Sequence, residues 1–198
     1  MTNITPTKRG FTIVETLVAV TILMIAVVGP LTIVNQALRA AKDANNQMIA
    51  SNLAQETMEL VKNQKDQNTT AGVTWLNGIS SPATPCTQTD PKSNLASLAC
   101  DMQFGTSPDS YQYITCGGSG LNNCQLFKTT TGNTSTSYTH AGPPYVQTPF
   151  TRYYYLNPVT GDPTMLYQVL VRVVVSWSSG SGYTNQVQLQ DFMTSAPQ

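Results

Sequence analysis

The stretch FTIVETLVAVTILMIAVVGPLTIV at residues 11–34 decides how the chain is organised. It is 24 residues long and contains one charged residue, Glu15. As an α-helix it would be about 36 Å long, because each residue adds about 1.5 Å, whereas the hydrocarbon core of a bilayer is about 30 Å thick. The sequence therefore predicts a helix that spans a membrane.

The basic residues around this stretch predict its orientation. Lys8 and Arg9 lie directly before it, whereas the next positive charge is Arg39. The positive-inside rule then places the N-terminus in the cytoplasm and the rest of the chain outside. A secretory signal peptide would have an apolar core of about 7–15 residues followed by a small-residue cleavage site. Because this run is longer and no such site follows promptly, we expect the apolar segment to be retained.

Glu15 is the unusual residue of the apolar run. A carboxylate in a bilayer costs about 2.5–3.5 kcal/mol on insertion scales, so we expect it to have a partner. Neither Lys nor Arg lies nearby on the membrane side. A cut between Gly10 and Phe11 would create an α-amine that Glu15 of an adjacent subunit could neutralise, with an attraction of about 4 kcal/mol at about 4 Å before desolvation. The alternative is that Glu15 reaches the membrane surface or pairs within its own chain.

The segment KRGFTIVETLVA at residues 8–19 resembles the cleavage and methylation motif of type IV prepilins and pseudopilins. The resemblance implies that a membrane aspartyl peptidase cuts after Gly10 and that the new N-terminal residue, Phe11, is N-methylated. It also implies that Glu15 guides assembly. A further segment, SNLAQETMELVKN at residues 51–63, resembles minor pilins of the pilus modification type, although Thr57 stands where a small residue is expected.

The resemblance also implies partners and a location. The partners are prepilin peptidase, other pilin subunits, an inner-membrane assembly platform and, before assembly, membrane lipid. The chain would be a single-pass protein of the cytoplasmic membrane and then part of a pilus or pseudopilus at the cell surface. Three functions stay open at this point: a minor pilin, which we favour, a pseudopilin of a type II secretion or DNA-uptake system, and a pilus-tip adhesin that binds through its loops.

The helix is expected to continue past the apolar run to about Asp66. Gly29 and Pro30 predict a helix break, as a kink or as local melting, because Pro30 removes a backbone donor. By resemblance, this segment could loosen and extend in a filament; a simple kink is the alternative. Lys62 is expected to pair with Glu59 and Asp66 along the helix surface. A narrow apolar stripe on one helical face predicts packing against a sheet; its residues are Ala50, Leu53, Ala54, Thr57, Leu60 and Val61.

The four cysteines, Cys86, Cys100, Cys116 and Cys124, all follow the predicted helix. They form no CxxC pair, and His140 is the only histidine of the chain, so disulfides in an oxidising compartment are favoured over a zinc site. Of the three possible pairings we favour Cys86 with Cys100 and Cys116 with Cys124, because both loops are then short. Each bridge would contribute about 2–4 kcal/mol. Free buried thiols are the alternative, and neither a metal site nor a cofactor is expected.

Alternating apolar residues predict strands in the last third of the chain. Residues 169–177 alternate clearly, residues 178–182 form a flexible turn, and residues 186–190 alternate again, which predicts an antiparallel hairpin. Further strands are expected at 151–156, 111–115 and 125–128. Three consecutive tyrosines, Tyr153, Tyr154 and Tyr155, could form an aromatic binding patch. Ordinary packing is favoured, because a strand sends Tyr154 to the opposite face from its neighbours.

These elements predict an α+β fold. A long N-terminal helical spine, membrane-spanning in its first half, would pack against a small antiparallel β-sheet head with disulfide-stabilised loops. The expected boundaries are a cleaved leader at 1–10, a transmembrane and assembly helix at 11–34, its amphipathic continuation at 35–70, and an exported β-rich head at 71–198.

Composition and missing motifs argue against other classes of function. Ten Lys and Arg balance ten Asp and Glu, and 10% of the residues are charged, which gives the head no basic surface for nucleic acid. The sequence contains no HExxH, GxSxG or P-loop motif, and its one histidine argues against a hydrolase triad. We therefore expect a structural protein rather than an enzyme.

Overall fold

The structure is a computed structural model that describes residues 10–80, 86–87, 99–104, 111–116, 121–129, 137–140, 142, 145–159, 167–178 and 183–195. Within these ranges the chain forms one long helix and seven strands: α1 (Ile13–Thr70), β1 (Cys100–Phe104), β2 (Tyr111–Thr115), β3 (Gln125–Lys128), β4 (Tyr138–Thr139), β5 (Val146–Pro158), β6 (Gln168–Ser178) and β7 (Thr184–Thr194). The chain divides into two compact units, Met1–Asn45 and Asn46–Gln198, which we call the N-terminal unit and the C-terminal unit.

The N-terminal unit contains the apolar part of α1. The helix is long and apolar enough to cross a membrane. Threonine hydroxyls within it are satisfied locally: Thr16, Thr21 and Thr32 each donate to the carbonyl three residues earlier, at 2.7–2.8 Å. This matters because hydrocarbon offers polar groups no other partner.

The helix runs through Gly29 and Pro30 without interruption. Local melting at this point is therefore not part of this structure, since the residues on both sides of Pro30 keep helical geometry, and a kink at Pro30 stays a prediction. Pro30 still lacks an N–H group, so the carbonyl of Ala26 has no intrahelical donor at this turn. That missing bond is local, and the flanking turns sustain the helix.

The predicted apolar stripe is confirmed in the C-terminal unit. All six of its residues are buried there, together with Met58 and Asn68. The apolar side chains among them form one core cluster with residues of the sheet, including Met102, Tyr154 and Trp177. The polar Asn68 has a different role from the stripe, because its amide binds backbone that follows the helix.

The helix ends at Thr70, which agrees with the expected boundary at residue 70 and lies four residues beyond Asp66, where the apolar period stops. The terminus is a Schellman motif, in which the N–H of Gly72 donates to Thr69 O and the N–H of Val73 donates to Asn68 O, at 3.2 and 3.0 Å. Gly72 has the left-handed φ of 67° that the motif requires. The buried side chain of Asn68 also donates to the carbonyls of Trp75 and Asn77, at 3.0 and 2.6 Å. Polar capping therefore extends the helix where its apolar period has stopped.

The described strands form one antiparallel sheet. β5 is central: along one edge it pairs with β6, and along the other it pairs with β3 and, through Cys100 and Tyr154, with β1. β7 pairs with β6, β2 with β1, and β4 with β3. The predicted antiparallel pairing of β6 with β7 and the predicted strands around residues 111–115, 125–128 and 151–156 are confirmed, and the fold is α+β as expected. Of the turn predicted at 178–182, residues 179–182 lie outside the described residues.

The three tyrosines of β5 alternate between faces, as ordinary strand packing requires. Tyr154 is fully buried in the core, and its hydroxyl donates to Ile79 O at 2.6 Å. Tyr153 and Tyr155 lie on the opposite face with their ring centroids 5.4 Å apart. They cover a small cluster that contains Cys116 and Cys124. The rings are therefore used in packing on both faces of the sheet.

Two disulfides join the pairs that the sequence favours. Cys86 is bonded to Cys100 and Cys116 to Cys124, with Cα atoms 5.5 and 5.2 Å apart. A hydrogen bond also holds Cys86 against the sheet, because its carbonyl accepts the N–H of Leu156 at 2.6 Å. The backbone that follows the helix is thereby attached to β5.

Of the expected charge pairs of Lys62 within the helix, the one with Asp66 is wrong, whereas Glu59 still interacts with Lys62 electrostatically. Its Nζ lies 2.7 Å from Asp191 Oδ2 on β7, and Asp66 is 3.0 Å from Lys65 instead. A residue of the sheet thus takes the place of Asp66 as the ion-pair partner of Lys62, because Lys62 borders the buried helical face. The contact fastens α1 to the strand at the sheet edge.

Candidate functional site

The motif residues lie at the start of α1. Gly10, Phe11 and Thr12 are outside regular structure, and the helix begins at Ile13. Thr12 caps it, since its Oγ1 accepts a hydrogen bond from the N–H of Glu15 at 3.3 Å. Gly10 is exposed and the Phe11 side chain is 81% exposed. The peptide bond between Gly10 and Phe11 is therefore accessible and not held in a helix.

Gly10 has no packing role in the described chain. A Cβ placed at Gly10 would meet no heavy atom within 4 Å, and the residue does not have a left-handed φ. A need for glycine at this position would thus come from a molecule that binds the segment, and not from the fold of this chain.

Glu15 lies in the first turn of α1, where the exposed N–H groups of the helix favour a negative charge. Its side chain is exposed, and it forms no ion pair with the part of the chain that the structure describes. The predicted pair with the Phe11 amine of another subunit is not tested by a single chain. The geometry leaves the carboxylate accessible to such a partner.

A second polar site lies inside the C-terminal unit, and the sequence did not indicate it. Arg152 of β5 is fully buried, and its Nε lies 2.9 Å from Oδ2 of the fully buried Asp101 of β1. Nη2 donates to Met102 O at 3.0 Å, and Nη1 lies 3.4 Å from Glu56 Oε1 on α1. His140 Nε2 lies 2.5 Å from Asp101 Oδ2, and its side chain is 4% exposed. We call Asp101, His140 and Arg152, together with the partly exposed Glu56, the buried charge cluster.

The cluster holds its charges in place electrostatically. Burial by itself would raise the pKa of Asp101, but the Arg152 guanidinium and the hydrogen bond from His140 outweigh it and keep that pKa below its ordinary value. Burial would likewise lower the pKa of Arg152, and the Asp101 and Glu56 carboxylates raise it. Asp101 and Arg152 are therefore both charged, and the cluster connects α1, β1, β5 and the residue after β4.

The contacts of the cluster are those of a group that stabilises the fold. Asp101 is already satisfied, because its Oδ1 accepts the N–H of Met102 at 2.8 Å and its Oδ2 binds Arg152 and His140. Across the described residues, no group of three or more His, Cys, Asp or Glu side chains is arranged to hold a metal ion. A shallow, open groove lies elsewhere, at the end of α1, and is lined by Asn63, Asp66, Gln67, Thr70, Ala71 and Tyr111.

Comparison with protein families assigns the N-terminal segment. Residues 6–29 match the model of the prokaryotic N-terminal methylation motif. The match covers the accessible Gly10–Phe11 bond, Glu15 and the apolar start of α1, and with that long apolar helix it is consistent with a type IV pilin-like protein. The motif supports a precursor of the type IV pilin family, whose members are structural rather than enzymatic. Comparisons with curated proteins and with solved structures gave no significant match.

Proposed function

We propose that this chain is a minor pilin, a structural subunit of a type IV pilus that is processed by prepilin peptidase. The observation that carries the proposal is the methylation-motif match at residues 6–29, which falls on an exposed, non-helical peptide bond followed by an apolar helix. The resemblance of residues 51–63 to minor pilins of the pilus modification type favours a pilus over a secretion or DNA-uptake pseudopilus.

Processing would convert the precursor into a subunit that can assemble. The peptidase cuts after Gly10 and removes the leader at residues 1–10, and methylation then modifies the amine of Phe11. Before assembly, residues 11–34 hold the chain in the cytoplasmic membrane, with Lys8 and Arg9 on the cytoplasmic side. The C-terminal unit is then outside, where an oxidising compartment lets its cysteines form disulfides.

Assembly would pair charges inside the apolar environment of the filament. The inner-membrane assembly platform would bring the helix of a new subunit beside helices of other pilins. Glu15 of one subunit then faces the Phe11 amine of a neighbour, which neutralises both charges and sets the axial register. The attraction of about 4 kcal/mol at about 4 Å offsets part of the cost of removing both groups from water.

The charge pairing is tested by replacing Glu15 with Gln, which keeps the size of the side chain and removes its charge. We expect the Glu15→Gln chain to reach the membrane at the normal level and to enter sheared filaments about tenfold less, which corresponds to about 1.4 kcal/mol. Quantitative mass spectrometry of both fractions measures this.

The matched control is Glu59→Gln, which removes an exposed carboxylate from the same helix. Its incorporation should stay normal. Equal incorporation of Glu15→Gln and wild type would contradict the charge pair but leave the pilin assignment standing. Absence of the wild-type chain from every filament fraction would contradict the assignment itself.

A further inference from the structure

β7 lies at an edge of the sheet. Among the described strands it pairs with β6 alone, and it does so in register along its whole length, from Thr184 to Thr194. Eleven residues of backbone therefore have one side that no described strand covers. An exposed edge of this length is a template for pairing with another strand.

Two hydrogen bonds identify the residues whose backbone groups point outward. The N–H of Ser195 donates to Tyr167 O, next to β6, at 2.8 Å. The N–H of Phe192 points away from β6 and donates to Asp191 Oδ1 at 2.8 Å. Because backbone groups alternate along a strand, odd-numbered residues of β7 bind β6, and even-numbered residues point away from the sheet.

The outward side of β7 lacks the features that usually block a sheet edge. The strand TNQVQLQDFMT contains no proline and one charge, Asp191. That carboxylate is already engaged, since Oδ1 accepts the N–H of Phe192 and Oδ2 lies 2.7 Å from Lys62 Nζ. The residues whose backbone groups point outward here, Thr184, Gln186, Gln188 and Gln190, have uncharged side chains. Their backbone N–H and C=O groups can therefore accept another strand.

We propose that this edge pairs with the β7 edge of a second copy of the chain, antiparallel and about a twofold axis at Gln188. In that register Gln188 lies opposite its own copy and Gln186 lies opposite Gln190. All of these residues are even-numbered, so their outward N–H and C=O groups meet directly. No like charges lie opposite each other.

The inner face of the strand also fits a second copy. Val187 and Leu189 pack against the core but are only half-buried. The proposed register places Val187 opposite Leu189 of the copy, where cross-strand side chains contact each other and both would be buried further. A twofold contact closes at two copies, so this surface is separate from the contacts that extend a filament, and the inference does not depend on the proposed function.

Amide hydrogen exchange of the full chain in detergent micelles, followed residue by residue at low and high protein concentration, tests the pairing. At low concentration the odd-numbered amides of β7 should be protected, and those of Gln186, Gln188 and Gln190 should exchange rapidly. At high concentration these three amides should become protected as the chain dimerises. Dimers whose even-numbered amides stay unprotected, a chain that stays monomeric, or protection that requires a different pilin would each overturn the proposal.

Two substitutions at one position separate backbone pairing from side-chain contacts. Gln188→Pro removes the outward N–H and leaves the bonds of the odd-numbered residues to β6 in place, since proline is tolerated at such edge positions. It should weaken dimerisation about tenfold or more, because symmetry removes two hydrogen bonds. Gln188→Val keeps the N–H and should dimerise within about twofold of wild type. Protection of the odd-numbered amides verifies that Gln188→Pro is folded, and normal dimerisation of that folded variant would contradict the proposal.

Discussion

Arg152 and Asp101 show how single residues hold the C-terminal unit together. Both are fully buried, and each offsets part of the cost of burying the other's charge. The pair is 51 positions apart in sequence, and neither residue belongs to a recognisable motif. His140 stood out only as the single histidine of the chain. No local pattern could therefore predict the cluster, because its residues meet only after α1, β1 and β5 have packed.

Asp101→Asn is expected to destabilise the C-terminal unit strongly. The change leaves the Arg152 charge buried with only the more distant Glu56 carboxylate, and breaking a buried pair in this way costs about 3–5 kcal/mol. Denaturant unfolding of the full chain in micelles, followed by tryptophan fluorescence, measures the loss. The control is Asp191→Asn, whose carboxylate is in an exposed pair and should cost at most about 1 kcal/mol. Similar losses for the two variants would contradict the assigned role.

Asp101 also makes the stability of the C-terminal unit depend on pH in the acidic range. The pKa of Asp101 is lower in the folded chain than its ordinary value of 3.8. Its contribution is therefore complete above pH 3.8 and is lost as the pH falls below that value toward the lower pKa of the folded state. The free energy of unfolding of wild type should fall more steeply in this range than that of Asp101→Asn. Equal slopes would show that Asp101 is not the group responsible.

At the level of elements, the end of α1 shows what apolar periodicity can and cannot predict. The apolar residues of the stripe, between Ala50 and Val61, recur at the spacing of one helical face, so the sequence predicted which face is buried. The last turn is polar and carries no such period. It is held by Asn68 and Gly72, whose hydrogen bonds reach residues beyond the helix. An end fixed by capping to later backbone is not visible in a pattern of apolar residues.

Gly72→Ala is expected to destabilise the helix end by about 1–2 kcal/mol, because alanine at a φ of 67° meets the left-handed penalty. Thermal unfolding by circular dichroism measures the change. Gly142→Ala serves as the control, since an added Cβ there meets no heavy atom within 4 Å and the effect should stay within about 0.5 kcal/mol. If both variants matched wild type, the Schellman motif would not contribute to stability.

The strands likewise include some that the sequence predicted and some that it missed. β7 alternates over its eleven residues and β6 over most of its length, and the sequence predicted that they pair. β1 was missed, because Cys100, Asp101 and Met102 are all buried in succession and the strand shows no alternation. β4 has two residues, which is too short for a pattern. Sequence patterns predict strands with one apolar face, and long-range contacts decide the others.

On the scale of the whole molecule, the two units require different surroundings. Every described residue of the N-terminal unit is exposed, including its large apolar side chains between Phe11 and Leu38. An apolar surface of this extent is not stable in water and must be covered by lipid or by neighbouring subunits. The C-terminal unit buries its own core and fastens it with two disulfides. The proposed membrane insertion, export and assembly are consistent with that division.

The central claim is that the chain is a prepilin cut after Gly10. Intact-mass and N-terminal mass spectrometry of the protein from its native membrane, with and without prepilin peptidase, tests this claim most directly. We predict a mature chain that begins with N-methylated Phe11 when the peptidase is present and an uncut precursor when it is absent. A chain that keeps Met1 in both cases, or that is cleaved elsewhere after the apolar run, would contradict the account.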